Sequence, residues 1–373
     1  MFARLASRVI PAVCPILLTA SASAPAPARL KPTPVIRPVA TLHTARAAHT
    51  ATTLLSGQVL LTGGMADGGG SLASAELFDP VGDTLQQLPP LTQRRAGHTA
   101  TRLRDGRVLL AGGYNGEYLA SIEVFEPATR RFREVGRLTV GRSGHTATLL
   151  PDGRVLFIGG VGDGWTFLAS AEVYDPETGR SQSVGSMHVT REGHTATLLV
   201  DGRVLVVGGH TGRRQNMEVH ASAEVFQPST NRFVQAGTLG MARHKHDAVQ
   251  LPDGRVLIIG GADRTDRTYY ASTEIYDPGT ATFGPGPSMA HRRYKITGTS
   301  MLLPGGNVLV TSGARVAEVF DVVGGTFREV AGALPDTYHF AASAVLTDGD
   351  VVITGGYSNS IRNTAGVWRF RHR

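Results

Sequence analysis

The sequence predicts an all-β chain closed into a ring of seven four-stranded blades, a seven-bladed propeller. Three observations predict it. A strand-ending glycine pair, Ser-Gly in one copy, recurs seven times, at Gly63-Gly64, Gly112-Gly113, Gly159-Gly160, Gly208-Gly209, Gly260-Gly261, Ser312-Gly313 and Gly355-Gly356, at intervals of 43 to 52 residues. Seven copies at that period mean a propeller or a solenoid. Composition agrees: 46 Gly and 20 Pro in 373 residues point to many tight turns and short strands. The two chain ends also complement each other. The seventh copy has only three strands, while Ile36, Val39 and Leu42 repeat the fourth-strand spacing ahead of the first copy. Pairing the ends removes the exposed edges that a linear stack would leave.

Taken in order, the chain opens with Arg4 and Arg8, an apolar stretch from Val9 to Ala20 and small residues around Ala22. This pattern predicts a secretory signal peptide cut between Ala22 and Ala28. The apolar run is too short for a membrane anchor and is interrupted by Pro11 and Pro15. Residues 1–28 are therefore expected to be signal peptide and leader, and residues 29–373 a single propeller domain, exported to the periplasm or the cell exterior, with no membrane span after processing. The one cysteine, Cys14, lies in the leader, so neither disulfides nor thiolate ligands are expected in the mature protein. The formal charge of +7 is carried by residues at fixed repeat positions rather than by a basic run, so nucleic acid is not an expected partner.

Each unit begins after a histidine with a strand rich in Thr, Ala and Leu. It reaches Asp-Gly, as at Asp152-Gly153, where the sequence predicts a type I′ hairpin turn. The second strand ends at the glycine pair, and a variable loop follows. The third strand reads Ser/Ala-Glu-Val/Leu/Ile-Phe/Tyr-Asp-Pro and stops at its proline. A fourth strand carries an aromatic or apolar residue, as in Phe132, Val135 and Leu138.

The Arg-x-Gly-His opening, the glycine-ended second strand and the third-strand aromatic make the chain resemble the kelch-repeat family over residues 36–370. It departs from that family in the fourth strand, where the usual tryptophan is replaced by Phe or Leu, and by Ser181 in blade 3. A more distant resemblance is to the propeller of galactose oxidase, whose metal-binding Tyr-His pair Tyr338-His339 resembles. That enzyme's cofactor needs a cysteine crosslinked to a tyrosine and its C-terminal domain supplies a further copper ligand; neither is expected here, so no cofactor is expected.

Two polar columns run through the repeats. Arginine opens each inner strand at Arg46, Arg95, Arg142, Arg191 and Arg243, with Arg293 or Lys295 in blade 6, where the register slips by two. Glutamate recurs in the third strand at Glu76, Glu123, Glu172, Glu224, Glu274 and Glu318. Blade 7 lacks both. The columns are either ion pairs, or arginines lining the channel mouth as an anion or peptide site, as the family resemblance allows. His49, His98, His145, His194 and His246 are expected to bond neighbouring backbone. Ring-related positions are too far apart to share a metal ion, so no metal is expected.

Tyrosine is distributed unevenly. Tyr174 and Tyr276 occupy strand positions, whereas Tyr114, Tyr118, Tyr269, Tyr270, Tyr294, Tyr338 and Tyr357 fall in loops of one face, with Trp165, His210, Arg213, Arg214, Lys245, Arg264, Asp266 and Arg267. Loops joining strands two and three and those joining blades emerge on that face, where binding concentrates. Aromatics with a polar tip suit a surface that is both apolar and wet; the bland alternative is packing beneath their own loops. The expected function is a non-catalytic propeller binding a protein partner or glycan there, centred on blades 3 to 6. The alternative is a channel-mouth carbohydrate enzyme, resembling the kelch-type sialic acid mutarotases, with arginine holding a carboxylate and Glu or His as base.

Overall fold

The computed structural model describes residues 34–372, so the leader and its cleavage site lie outside the described residues. Seven four-stranded antiparallel sheets follow one another in chain order. Blade 3 shows the pattern. Its strands run Thr146–Leu149, Val155–Ile158, Ala171–Asp175 and Arg180–Ser183 from the channel outward. The second strand, Val-Leu-Phe-Ile, is buried along its whole length. Both its faces meet neighbouring blades, which is why the sequence there is a continuous apolar run rather than an alternating one.

Closure of the ring is as expected. Val35–Thr41 forms the outermost strand of blade 7, beside Gly366–Arg371, with Ile36 opposite Phe370. A bulge between Pro38 and Ala40 accommodates the proline, which has no N–H to give.

The core lies between blades rather than within them, in seven clusters. Leu103, Leu109, Ile122 and Leu138 of blade 2, for example, meet Val155, Phe157 and Tyr174 of blade 3. Within four blades the third-strand aromatic packs on its fourth-strand partner, as in Phe125–Phe132 at 5.0 Å and Tyr276–Phe283 at 4.9 Å between ring centres. These rings stand in for the missing tryptophan.

The hairpin turns differ from the type I′ expectation. In blade 3 the Gly153 amide donates to Leu150 O at 3.0 Å and the Leu150 amide donates to Arg154 O at 2.8 Å. Gly153 is left-handed, with φ of 91°, but Asp152 is not. This is a three-residue loop, a type I turn closed by a glycine bulge. The reason lies in the side chain: Asp152 Oδ1 accepts the Arg154 amide at 3.0 Å, which holds the aspartate at negative φ, and Pro151 suits the first turn position.

Candidate functional site

The arginine column is buried and paired. All six arginines are 0% exposed. Each meets the glutamate of its own blade, Arg142 with Glu172 at 2.7 Å and Arg243 with Glu274 at 2.9 Å, for instance. The Arg142 guanidinium also donates to the carbonyl oxygens of Gly159 and Ser170, at 2.8 and 3.1 Å, tying the first strand to the end of the second and the start of the third. The second glutamate oxygen accepts an amide from the loop entering the blade, as Thr139 N–H to Glu172 Oε2 at 2.6 Å. The two terminal nitrogens of each guanidinium find acceptors, as a buried ion pair requires, while the Nε of Arg95, Arg191 and Arg243 is buried without one. These arginines have no surface left with which to line a channel mouth. In blade 6 the column residue is Arg293, paired with Glu318 at 2.7 Å, and the two extra residues, Thr297 and Gly298, follow Ile296.

The histidines bond side chains rather than backbone. His145 Nε2 meets Thr99 Oγ1 at 3.1 Å and His246 Nε2 meets Thr195 Oγ1 at 3.1 Å, each linking a blade to the one before it. Burial first, and the neighbouring arginine second, pushes His49 and His194 down to about 3. The column ends at blade 5. Asp247 replaces the threonine, and its carboxylate accepts amides from Gly298, Thr299 and Ser300 of the blade 6 insertion at 3.1, 2.9 and 2.7 Å. Burial raises Asp247 to about 6 against those hydrogen bonds. The threonines, histidines and Asp247 line a central cavity of about 430 Å³.

Above this cavity the mouth is framed by the two residues that follow each column arginine. The second of them is left-handed in every blade: Ala48, Gly97, Gly144, Gly193, Lys245, Lys295 and Phe340, with φ between 49° and 65°. Their backbones form a ring in which the amide donates to the preceding blade's carbonyl at every junction but that of Gly193 with Gly144, Lys245 to Gly193 at 2.7 Å and Lys295 to Lys245 at 3.0 Å, for example. The first of the two residues changes from small in blades 1 to 3 (Ala47, Ala96, Ser143) to large and polar in blades 4 to 7 (Glu192, His244, Tyr294, His339). One half of the rim is thus bare and the other chemically dense. Glu192 and His244 were not singled out by the sequence reading, which took Lys295 only as an alternative for the arginine column and His339 only as half of a Tyr-His pair. The signal was present as a column that loses its glycine, one and two places after the arginine.

The dense half is a connected network. His244 Nε2 lies 3.0 Å from Asp266 Oδ1, and the Tyr294 hydroxyl donates to the same oxygen. Lys245 Nζ donates to the Tyr294 hydroxyl at 3.2 Å, and Lys295 Nζ to the Tyr357 hydroxyl at 2.8 Å. Burial disfavours charge on Asp266, but the hydrogen bonds from His244 and Tyr294 and the charge of Lys245 outweigh it and hold it well below the usual carboxylate range. Burial, then Asp266, lifts Tyr294 far above the usual phenol range and Tyr357 to about 12. His210 and His244 stack edge to face at 4.7 Å, and His210 lies 3.4 Å from Glu192.

Beside the network stands an aromatic shelf. Trp165 is 52% exposed, with Tyr114 and Tyr118 at 6.4 and 5.9 Å. The Arg213 guanidinium lies 3.7 Å above the indole ring and 3.8 Å from Glu192, joining shelf to rim. Trp165 has φ of 63° at the end of a short 3-10 turn, Asp163–Trp165. Arg214, Arg264 and Arg267 are exposed and line a neighbouring groove of about 670 Å³ with Gln215 and Asp266. Tyr269 stacks on Tyr294 at 4.9 Å and opens onto a second groove over blade 6, whose loop between strands two and three is short.

Two loop residues fall elsewhere. Tyr338 takes the arginine position of blade 7, packs on Trp368 at 5.3 Å and is buried in the core, so it is not a surface contact. With no glutamate facing it, an aromatic fills the space that the ion pair occupies in other blades. Tyr270 points to the outer groove with Met217, Met241 and Arg264, away from the mouth, and its ring lies 5.4 Å from Arg243.

Residues 142–188, which are blade 3 with the loops entering and leaving it, match the family model described as the Kelch motif. The other blades repeat that blade's residues, and the chain is a seven-bladed propeller of kelch-type repeats. The fold is shared with a solved structure described as a novel fungal alcohol oxidase with catalytic diversity among the AA5 family, in complex with copper. The TM-score is 0.71 over 89% of this chain and 75% of that one, at 15% identity, a likeness of fold alone. No curated protein matches the chain.

Proposed function

We propose that this propeller is an exported, non-catalytic binding protein that takes a glycan on its loop face, across the mouth and the blade 3 to 6 loops. The observation that carries the reading is the Trp165 shelf. The half-exposed indole is held at a left-handed backbone position, with the Arg213 guanidinium stacked on one face and Tyr118 edge-on beside it. An exposed ring in a strained conformation is what a sugar-stacking platform requires, since the pyranose ring offers a C–H face and needs hydroxyl partners beside it. Those partners are near: Glu192, His244 and Tyr294 on the rim. The export half of the reading rests on the leader sequence.

The solved neighbour's copper does not transfer. Among the described residues no three His, Cys, Asp or Glu side chains gather as a metal site. His339 has both ring nitrogens engaged, with Tyr294 O at 3.2 Å and Asn359 Oδ1 at 3.0 Å, and Tyr338 is in the core. The donor set does not fit copper. The isomerase alternative loses its carboxylate-binding arginines, which are buried against glutamates.

Binding is tested with a panel of neutral and acidic sugars read by thermal shift and calorimetry, since a ligand of the native state raises the melting temperature by mass action. Trp165→Ala is expected to weaken binding about tenfold, since the apolar area a sugar's C–H face buries on an indole is worth roughly 1–2 kcal/mol. It should leave the unliganded melting temperature nearly unchanged, because the ring is half exposed. Unaltered affinity in that variant would remove the shelf from the site.

A further inference from the structure

We infer that Lys245 and Lys295 form an anion clamp at the channel mouth, and that the glycan taken there carries a carboxylate, as in a uronic acid. This deepens the glycan reading above and rests on it.

The first observation is lysine usage. The chain has only three lysines among its 37 Lys and Arg residues. Lys31 lies outside the described residues. The other two occupy one and the same ring position in adjacent blades. Everywhere else in the propeller a cation is an arginine, so two neighbouring lysines mark a place where a compact, strongly hydrated point charge is wanted rather than a planar fork.

The second is the backbone beneath them. Lys245 and Lys295 have φ of 51° and 56°, where blades 2, 3 and 4 use Gly97, Gly144 and Gly193. A long side chain in the left-handed region is disfavoured, and such strain collects where a side chain has work at a binding site. Glycine would serve the ring equally well, so the lysines are there for their side chains.

The third is what the amines touch. Each donates to a tyrosine hydroxyl, Tyr294 and Tyr357 respectively, and among the described residues neither lies within ion-pair distance of a carboxylate. Burial holds both amines below the ordinary lysine range, a cost that an incoming anion offsets. The surroundings are cationic as well. Arg214, Arg264 and Arg267 around the mouth have no acidic partner among the described residues, whereas on the opposite face Arg107, Arg154, Arg203 and Arg255 each pair with an aspartate in the hairpin turn. The three exposed guanidinium groups around the mouth, unpaired among the described residues, add positive charge on the side where the two lysines stand. The charge of the pocket selects the kind of anion. Lys245, Lys295 and Arg213 stand against Glu192 and Asp266, an excess of one positive charge that suits a monoanionic carboxylate better than a phosphate dianion.

The test uses the whole protein and the variants Lys245→Gly and Lys295→Gly, singly and together. Each installs the residue that other blades carry, so the melting temperature should hold or rise, which separates loss of binding from loss of fold. Probes are D-galacturonic acid, D-galactose and poly-L-glutamate, measured by calorimetry at low and high salt. The expected result is tighter binding of galacturonate than of galactose, weakened by salt, and at least about tenfold weaker in the double variant, with galactose affinity unchanged. Equal affinity for both sugars, insensitive to the variants, would overturn the clamp and leave the glycan reading standing. Binding of poly-L-glutamate with neither sugar bound would overturn both and point to an acidic protein partner. No binding of any probe would overturn both.

Discussion

At the scale of single residues, the repeated polar side chains are internal fastenings, and their titration sets the pH range of the fold. The five column histidines are buried and neutral, with folded-state values far below the free value of 6.5. The unfolded chain takes up protons that the native state refuses. Their contribution is complete above about 6.5 and is lost as pH falls toward 3, by about 1.4 kcal/mol per histidine per pH unit. Asp247 acts in the opposite sense. Its raised value of about 6 means the native state holds a proton that the unfolded chain releases near 3.8, so acidification from pH 6 to 4 favours the fold at this one group. Five groups outweigh one, and urea midpoints are expected to fall steeply below pH 6.5. Asp247→Thr, the residue of blades 1 to 4, should make that fall steeper between pH 6 and 4. A flat pH profile would show that the histidines are not buried neutral.

At the scale of the blade, the pairing of a third-strand with a fourth-strand ring explains both regularity and exception. Blade 3 has Tyr174 opposite Ser181, with no second ring. The Ser181 hydroxyl is buried without a partner, and the Tyr174 hydroxyl reaches Val135 O at 3.3 Å. Beside them a groove of about 450 Å³ opens between blades 2 and 3, lined by Leu103, Val135, Tyr174 and Gly179. Ser181→Phe restores the ring that blades 2, 4, 5 and 6 carry. It should stabilise the protein by roughly 1 kcal/mol, read as a higher melting temperature. A lower one would mean that the groove is closed to a ring of that size.

At the scale of the whole molecule, the ring is closed by strand pairing between the ends of the domain. Val35–Thr41 covers the edge of Gly366–Arg371, and Ile36 joins Trp368 and Phe370 in the cluster between blades 6 and 7. Deleting residues 1–41 would expose that edge and open the cluster. The expected outcome is a lower, broader melting transition and higher oligomers by size exclusion, since an uncovered edge strand recruits others. Monomeric elution with an unchanged melt would show that closure adds nothing to stability.

Seven-fold repetition, strand order and the pairing of the two ends were legible in the sequence, because each blade restates the same apolar and turn pattern and errors in one copy are corrected by the next. The joint loss of Arg and Glu in blade 7 likewise pointed to an ion pair, and the loop-face position of Trp165, His210 and Arg213 followed from the meander. What the tertiary structure decided was which loop residues meet. Tyr338 shares the sequence features of Tyr294, yet one packs on Trp368 while the other holds Asp266 at the mouth. Glu192, His244, Tyr294 and His339 are 45 to 52 residues apart in the chain and become neighbours only because the ring brings equivalent positions of successive blades to one rim. Local pattern fixes the blade, since its contacts are short-range and repeated. The site is made of contacts between copies, at the positions where the copies differ.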